Sequence, residues 1–171
     1  ADVMHPPQIP SMNVSAADPC NRGGGAVTLP LAGVKVIEMA AIGPVPFCGM
    51  TLADMGAEVI RLDRLQDAGL GFPTPPRFDA MARGKRSVAI DFDNPEDLEI
   101  VRRLIAGADI VIENFKVGGL KKYGLDYETV SADHPGLVYC SITGFGQTGP
   151  YAPRAGYDFI IQGMAGMMSI T

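Results

Sequence analysis

Apolar residues recur along this chain in short blocks of two kinds. Val34 to Met39, Glu58 to Leu62, Ser87 to Asp91, Asp109 to Glu113 and Leu137 to Ile142 are short runs rich in β-branched residues, with apolar side chains on both faces. Such runs predict strands covered on both sides, the habit of parallel sheets. Between them lie helical patterns. Phe47 to Met55 predicts a short helix entered after Pro46 and stopped at Gly56. Residues 95–106 predict a longer one: Leu98, Val101, Leu104 and Ile105 recur at helical spacing, with Asn94 as N-cap, Pro95 in the first turn, Glu96 and Asp97 beside it, and Gly107 after the last turn. Helical turns are expected over 117–122 and 126–132, a Gly-rich loop over 143–156 and a helix over 158–168. Strands alternating with helices predict the α/β class: a doubly wound, mostly parallel, Rossmann-like sheet.

Residues 1–29 break this pattern. They are rich in Pro, Gly, Ser and Ala, end in Gly23-Gly24-Gly25, and read as a flexible leader to an α/β domain over 30–171. Met167 to Thr171 stop in an apolar helix without a cap or polar tail, so the chain is expected to be a fragment of a longer protein. With 171 residues, 47% hydrophobic and 19% charged, the composition suits one folded domain. A formal net charge of −5 argues against broad binding to nucleic acid or anionic membrane, whose ligands are clustered cations. Pro and Gly interrupt every apolar run short of the ~20 residues of a membrane span. The first thirty residues have neither the apolar core of a secretory signal nor the cations of a transit peptide, so a cytoplasmic address is expected. Cys20, Cys48 and Cys140 are far apart and only His5 and His134 accompany them, a pattern that predicts neither a metal site nor a disulfide framework.

Four features carry possible chemistry. Gly144-Phe145-Gly146-Gln147-Thr148-Gly149 matches the dinucleotide fingerprint, but Pro150 and Pro153 prolong an open loop where that fingerprint requires a helix, so a backbone-lined loop is expected instead of an NAD site. Arg77, Arg83, Lys85 and Arg86 face only Asp79 locally; this suits either a phosphorylated small molecule or a solvated loop face, and charge alone leaves both open. Arg61 and Arg64, at the end of the second strand, could join that patch. Asp158, in Gly156-Tyr157-Asp158, suits the N-cap or an early residue of the last helix, a placement that keeps its carboxylate ionised, as a nucleophilic carboxylate also requires.

With these segments placed, the chain resembles the amino-terminal part of a family III CoA-transferase, a family that also contains formyl-CoA transferase and α-methylacyl-CoA racemase. The matching stretches are Pro30 to Glu38, Gly43-Pro44, Leu52 to Arg61, Arg83 to Ser87, Ile112 to Phe115, Thr143 to Pro150 and Ala155 to Asp158. The resemblance implies coenzyme A, as substrate thioester, for ligand. It implies phosphate or adenine contacts from Arg64, Arg83, Lys85 and Arg86, a path for adenine and pantetheine lined by Ile42, Ala89 and Phe115, and a pyrophosphate turn at Asn114. Lys116 stands where the family usually has Arg, offering a point charge in place of a fork.

The resemblance also implies that Asp158 is the nucleophile, passing CoA from an acyl-CoA donor to a carboxylic acid acceptor through an aspartyl-CoA thioester. Gly146 and Gln147 in the Gly-rich loop are then candidates for the oxyanions. The racemase branch carries a His at the position of Tyr157, and a tyrosine is a poor base at neutral pH. Transferase is therefore the expected activity, with a racemase or epimerase and a non-catalytic CoA-ester binding fragment as alternatives. Family members form interlocked homodimers, so the 171-residue chain alone is expected to be inactive.

Overall fold

Each predicted apolar run becomes a strand: β1 (Lys35–Met39), β2 (Glu58–Arg64), β3 (Lys85–Ile90), β4 (Ile110–Glu113) and β5 (Val138–Ser141). This is seen in a computed structural model that describes residues 28–65 and 75–171, so the predicted leader lies almost wholly outside the described residues. All neighbouring strands pair in parallel, in the order β3-β2-β1-β4-β5. The α/β expectation holds, with the sheet wholly parallel where it was expected to be mostly so.

The register explains the double-sided apolar code. Val36, Val59 and Ile112 lie on one face, with Val45 of helix α1 (Pro44–Asp54) in the same cluster. Ile37, Met39, Leu62, Ile90 and Val111 lie on the other, clustered with Val101 and Ile105 of α2 (Pro95–Ala106) and Val130 of α3 (Tyr127–Asp133). Full burial of one such side chain is worth about 1.5–3 kcal/mol, so the two clusters hold the helices to the sheet.

Departures from the expected boundaries have local causes. Helix α1 starts at Pro44, ahead of the predicted Phe47, because prolines are tolerated in a first turn whose N–H groups have no partner. Asn94 caps α2 as expected, its side chain accepting from Glu96 N–H at 3.0 Å. Strand β3 begins at Lys85 rather than Ser87, with Lys85 in register with Val59. The helical turn expected over 117–122 reduces to a 3-10 turn at Lys121–Tyr123. The last helix, α4, covers Asp158–Met164 only; Gly166, at φ +80°, ends it before a further 3-10 turn.

The strand order reverses at β1, whose neighbours β2 and β4 lead the chain to opposite edges. In open α/β sheets such a reversal leaves a crevice outside the strands' carboxyl ends, the usual place for a ligand.

Candidate functional site

Glu113 closes β4 at the rim of this crevice. It is 5% exposed, and both carboxylate oxygens are engaged: Oε2 accepts the Phe115 N–H at 2.6 Å and Oε1 accepts the Ser141 hydroxyl. Ser141, its register partner on β5, accepts in turn from Gln147 Nε2 at 2.8 Å. Burial pushes the Glu113 carboxyl above the usual glutamate range, and the two donors oppose that shift without cancelling it. Asn114 Nδ2 donates to the Ile42 carbonyl at 3.2 Å, joining the turn after β4 to the turn after β1.

Aromatic and cationic groups gather beside this turn. The Arg64 guanidinium, at the end of β2, lies 5.5 Å from the Phe115 ring centroid. Phe92 packs edge-on against Phe115 and tilted against Tyr123, at 6.3 and 5.4 Å between centroids. Lys122 sits over the Tyr123 ring and feels the charges of Asp93 and Arg64. Thus the structure brings Ile42, Arg64, Asn114, Phe115 and Gln147 together around the turn after β4. Phe92 and Lys122, neither singled out by the sequence, join them; for Lys122 the run Lys121-Lys122-Tyr123 is the one local signal. Lys116 is exposed on the same turn.

In the segment 83–86 each cation meets a carboxylate, with Arg83 and Arg86 exposed and the Lys85 side chain buried. Arg83 pairs with Asp54 at 2.5 Å, at the end of α1, and Arg86 pairs with Glu58, the first residue of β2. Lys85 is 2% exposed at its side chain and holds Glu38 Oε2 at 2.6 Å, also donating to the Pro46 carbonyl at 2.8 Å. These three cations lie at or just before the start of β3, and their partners come from distant parts of the sequence. Arg61 is likewise taken by Asp63 and Asp79. Ala89 is exposed on the α1 face, in register with Asp63, opposite the face that carries Arg64.

The Gly-rich loop leaves β5 and returns to α4 through one close backbone contact. A Cβ on Gly144 would lie 2.3 Å from the Gly156 Cα, and the reverse clash is equal, so both positions require glycine. Phe145 packs edge-on against Tyr151, and the Arg154 guanidinium stacks over the exposed Tyr151 ring at 4.2 Å. No described residue accepts from the backbone N–H groups of Phe145, Gly146 or Gln147, which leaves them available to a ligand. Tyr157, not Asp158, occupies the N-cap; Asp158 is the first helical residue, exposed, and receives Gln162 Nε2 at 2.5 Å. The fingerprint glycines follow the fifth strand and no helix begins among them, the opposite of a dinucleotide loop. Cys48 and Cys140 border the α1-side core, and burial pushes the Cys48 thiol up.

Comparison with known proteins decides the family. Residues 31–171 match the sequence profile of CoA-transferase family III. The chain belongs to this family. A succinate–glutarate CoA-transferase from Agrobacterium fabrum is 50% identical over 156 residues, which cover 83% of this chain and 39% of that protein. An alpha-methylacyl-CoA racemase from Mus musculus is 42% identical over 139 residues, covering 81% and 34%. The crystal structure of a CAIB/BAIF family protein from Brucella suis superposes with a TM-score of 0.74 at 52% identity, covering 84% of this chain and 41% of that one. The chain thus spans about two fifths of the length of the family III relatives it matches.

Proposed function

We propose that the protein transfers CoA between an acyl-CoA and a carboxylic acid, with Asp158 as nucleophile. The observation that carries this reading is the convergence, in a family III chain, of Arg64, Phe115, Asn114 and Gln147 at the switch point between β1 and β4, with the exposed Asp158 beyond the glycine-locked loop. The nucleotide is placed against the Phe115 and Phe92 rings, with Arg64, Lys116 and Lys122 serving its phosphates. Arg83, Lys85 and Arg86 serve the fold in this reading, because each already holds a carboxylate. The names of the relatives, succinate–glutarate and succinyl-CoA–D-citramalate transferases among them, support short dicarboxylic acids as donor and acceptor.

The Asp158 carboxylate attacks the thioester carbonyl and expels CoA thiolate, leaving a mixed anhydride. The thiolate attacks the Asp158 carbonyl, releasing the donor acid and forming an aspartyl-CoA thioester. An acceptor carboxylate then attacks that thioester, and the thiolate returned to the new anhydride restores Asp158 and yields the product CoA ester. Developing oxyanions are met by the N–H groups of Gly146 and its neighbours, with the second amide hydrogen of Gln147.

The test uses the full-length protein in deuterated water with succinyl-CoA and glutarate. CoA transfer without deuterium at the α-carbon of the ester is expected, and Arg64→Ala should weaken CoA binding by about tenfold while Arg83→Ala leaves it unchanged. Rapid deuterium uptake at the α-carbon of a 2-methylacyl-CoA without any acid acceptor, with no CoA transfer, would instead favour the racemase reading.

A further inference from the structure

We infer that Glu113 is a positioning residue that couples the CoA-binding turn to the loop that carries Gln147. The inference rests on the reading of this crevice as a CoA-transferase site. Glu113 lies on the sheet face otherwise filled by Ile37, Met39, Leu62 and Val111, where a buried carboxylate is costly and an apolar side chain would suffice for folding. Met39 ends the neighbouring strand on this face and is apolar. No cation among the described residues pairs with Glu113; its burial is offset by two neutral donors alone.

Those two donors belong to different elements, the turn after β4 and the last residue of β5, from which the Gly-rich loop departs. Oε2 holds the Phe115 N–H and so sets the turn whose ring meets Arg64. Oε1 orients the Ser141 hydroxyl, leaving its lone pairs to accept Gln147 Nε2. One side chain, anchored at the end of a central strand, therefore fixes the position of Phe115 relative to Gln147. Asn114, between the two anchored residues, adds the Ile42 carbonyl to the same assembly. Ser141 serves only the Gln147 arm, whereas Glu113 serves both, and this asymmetry makes the coupling measurable.

The experiment compares Ser141→Ala, Gln147→Ala, their double variant, Glu113→Ala and Glu113→Gln in the full-length protein, reading kcat, KM for the CoA ester and CoA affinity by calorimetry. Ser141→Ala should lower kcat by about tenfold with KM unchanged, and the double variant should be no slower than Gln147→Ala. Glu113→Ala should lower kcat and weaken CoA binding together, each by about tenfold. Glu113→Gln should restore CoA affinity, because its amide oxygen still accepts the Phe115 N–H. Additive losses in the double variant, or a Glu113→Ala protein less heat-stable but with wild-type kcat and CoA affinity, would overturn the coupling. Should the wild-type protein transfer no CoA, only the reading of the reaction falls. The CoA affinities of Glu113→Ala and Glu113→Gln then decide: loss and recovery uphold the coupling at the Phe115 turn, and equal affinities refute it.

Discussion

Two buried glutamates end up in opposite electrical circumstances. Glu38, in the middle strand, is fully buried on the α1 face and faces a cation, Lys85, while its Oε1 has no partner among the described residues. Glu113, at the end of the next strand, is buried on the other face and meets only neutral donors, with both oxygens engaged. Burial raises both carboxyls above their ordinary range. The comparison separates two uses of an expensive group. Glu38 and Lys85 pin β1, β3 and the first turn of α1 together through the Pro46 carbonyl, which is a matter of assembly. Glu113 joins the turn after β4 to the end of β5, which in the proposed reading is a matter of function.

The largest effect is expected from separating the ion pair. Lys85→Met strands a buried carboxylate and should destabilise the protein by about 3–5 kcal/mol in urea unfolding. Adding Glu38→Met should recover most of that loss, since a well-packed apolar pair replaces a buried ion pair at little cost. A double variant as unstable as the single would show that Glu38 and Lys85 are not coupled.

A smaller loss tests the packing around the pair. A Cβ on Gly49 of α1 would fall 1.9 Å from Glu38 Oε2. Gly49→Ala should therefore destabilise by about 1–3 kcal/mol, although alanine is the better helix former. The same substitution in a Glu38→Ala background should be neutral or stabilising, and an unchanged penalty there would place the clash elsewhere.

The smallest effect sharpens the contrast through pH. Because the folded-state pKa of Glu113 is raised, the folded protein holds a proton that the unfolded chain has lost, and this carboxyl's contribution to stability declines as pH rises from about 4.3 through the raised value. Glu113→Gln should remove that decline, leaving its unfolding free energy flatter across the window than the wild type's. A steeper fall in the variant would contradict the assigned direction.

These contrasts also explain what could be read from the sequence. Strands such as Asp109 to Glu113 were legible because apolar residues on both faces are a local signal, and Asn94-Pro95 with Gly107 marked α2 almost residue for residue. Lys85 was misplaced in a loop, because its reason for entering β3 is Glu38, 47 positions away in sequence. The cations of 83–86 looked unpaired for the same reason: Asp54 and Glu58 approach only after α1 and β2 have packed. Glu113 passed for an ordinary polar strand end, since nothing in Ile-Val-Ile-Glu reveals that Phe115 N–H and Ser141 will close on it. Asp158 is legible as a reactive carboxylate only through family resemblance; its local signal is that of a helix cap or first-turn residue, and the structure makes it the first residue of α4, after Tyr157 at the N-cap.

The proposed reaction stands or falls on the covalent state of Asp158. Full-length protein incubated with succinyl-CoA and quenched with borohydride should carry a reduced side chain, homoserine in place of aspartate, in the peptide containing Asp158, and hydroxylamine should convert the same residue to its hydroxamate. Asp158→Asn should bind CoA as tightly as wild type, lose several orders of magnitude in kcat and show neither adduct. An unmodified Asp158 peptide under turnover, together with near-normal CoA transfer by Asp158→Asn, would contradict the assignment and leave this carboxylate as the partner of Gln162 and nothing more.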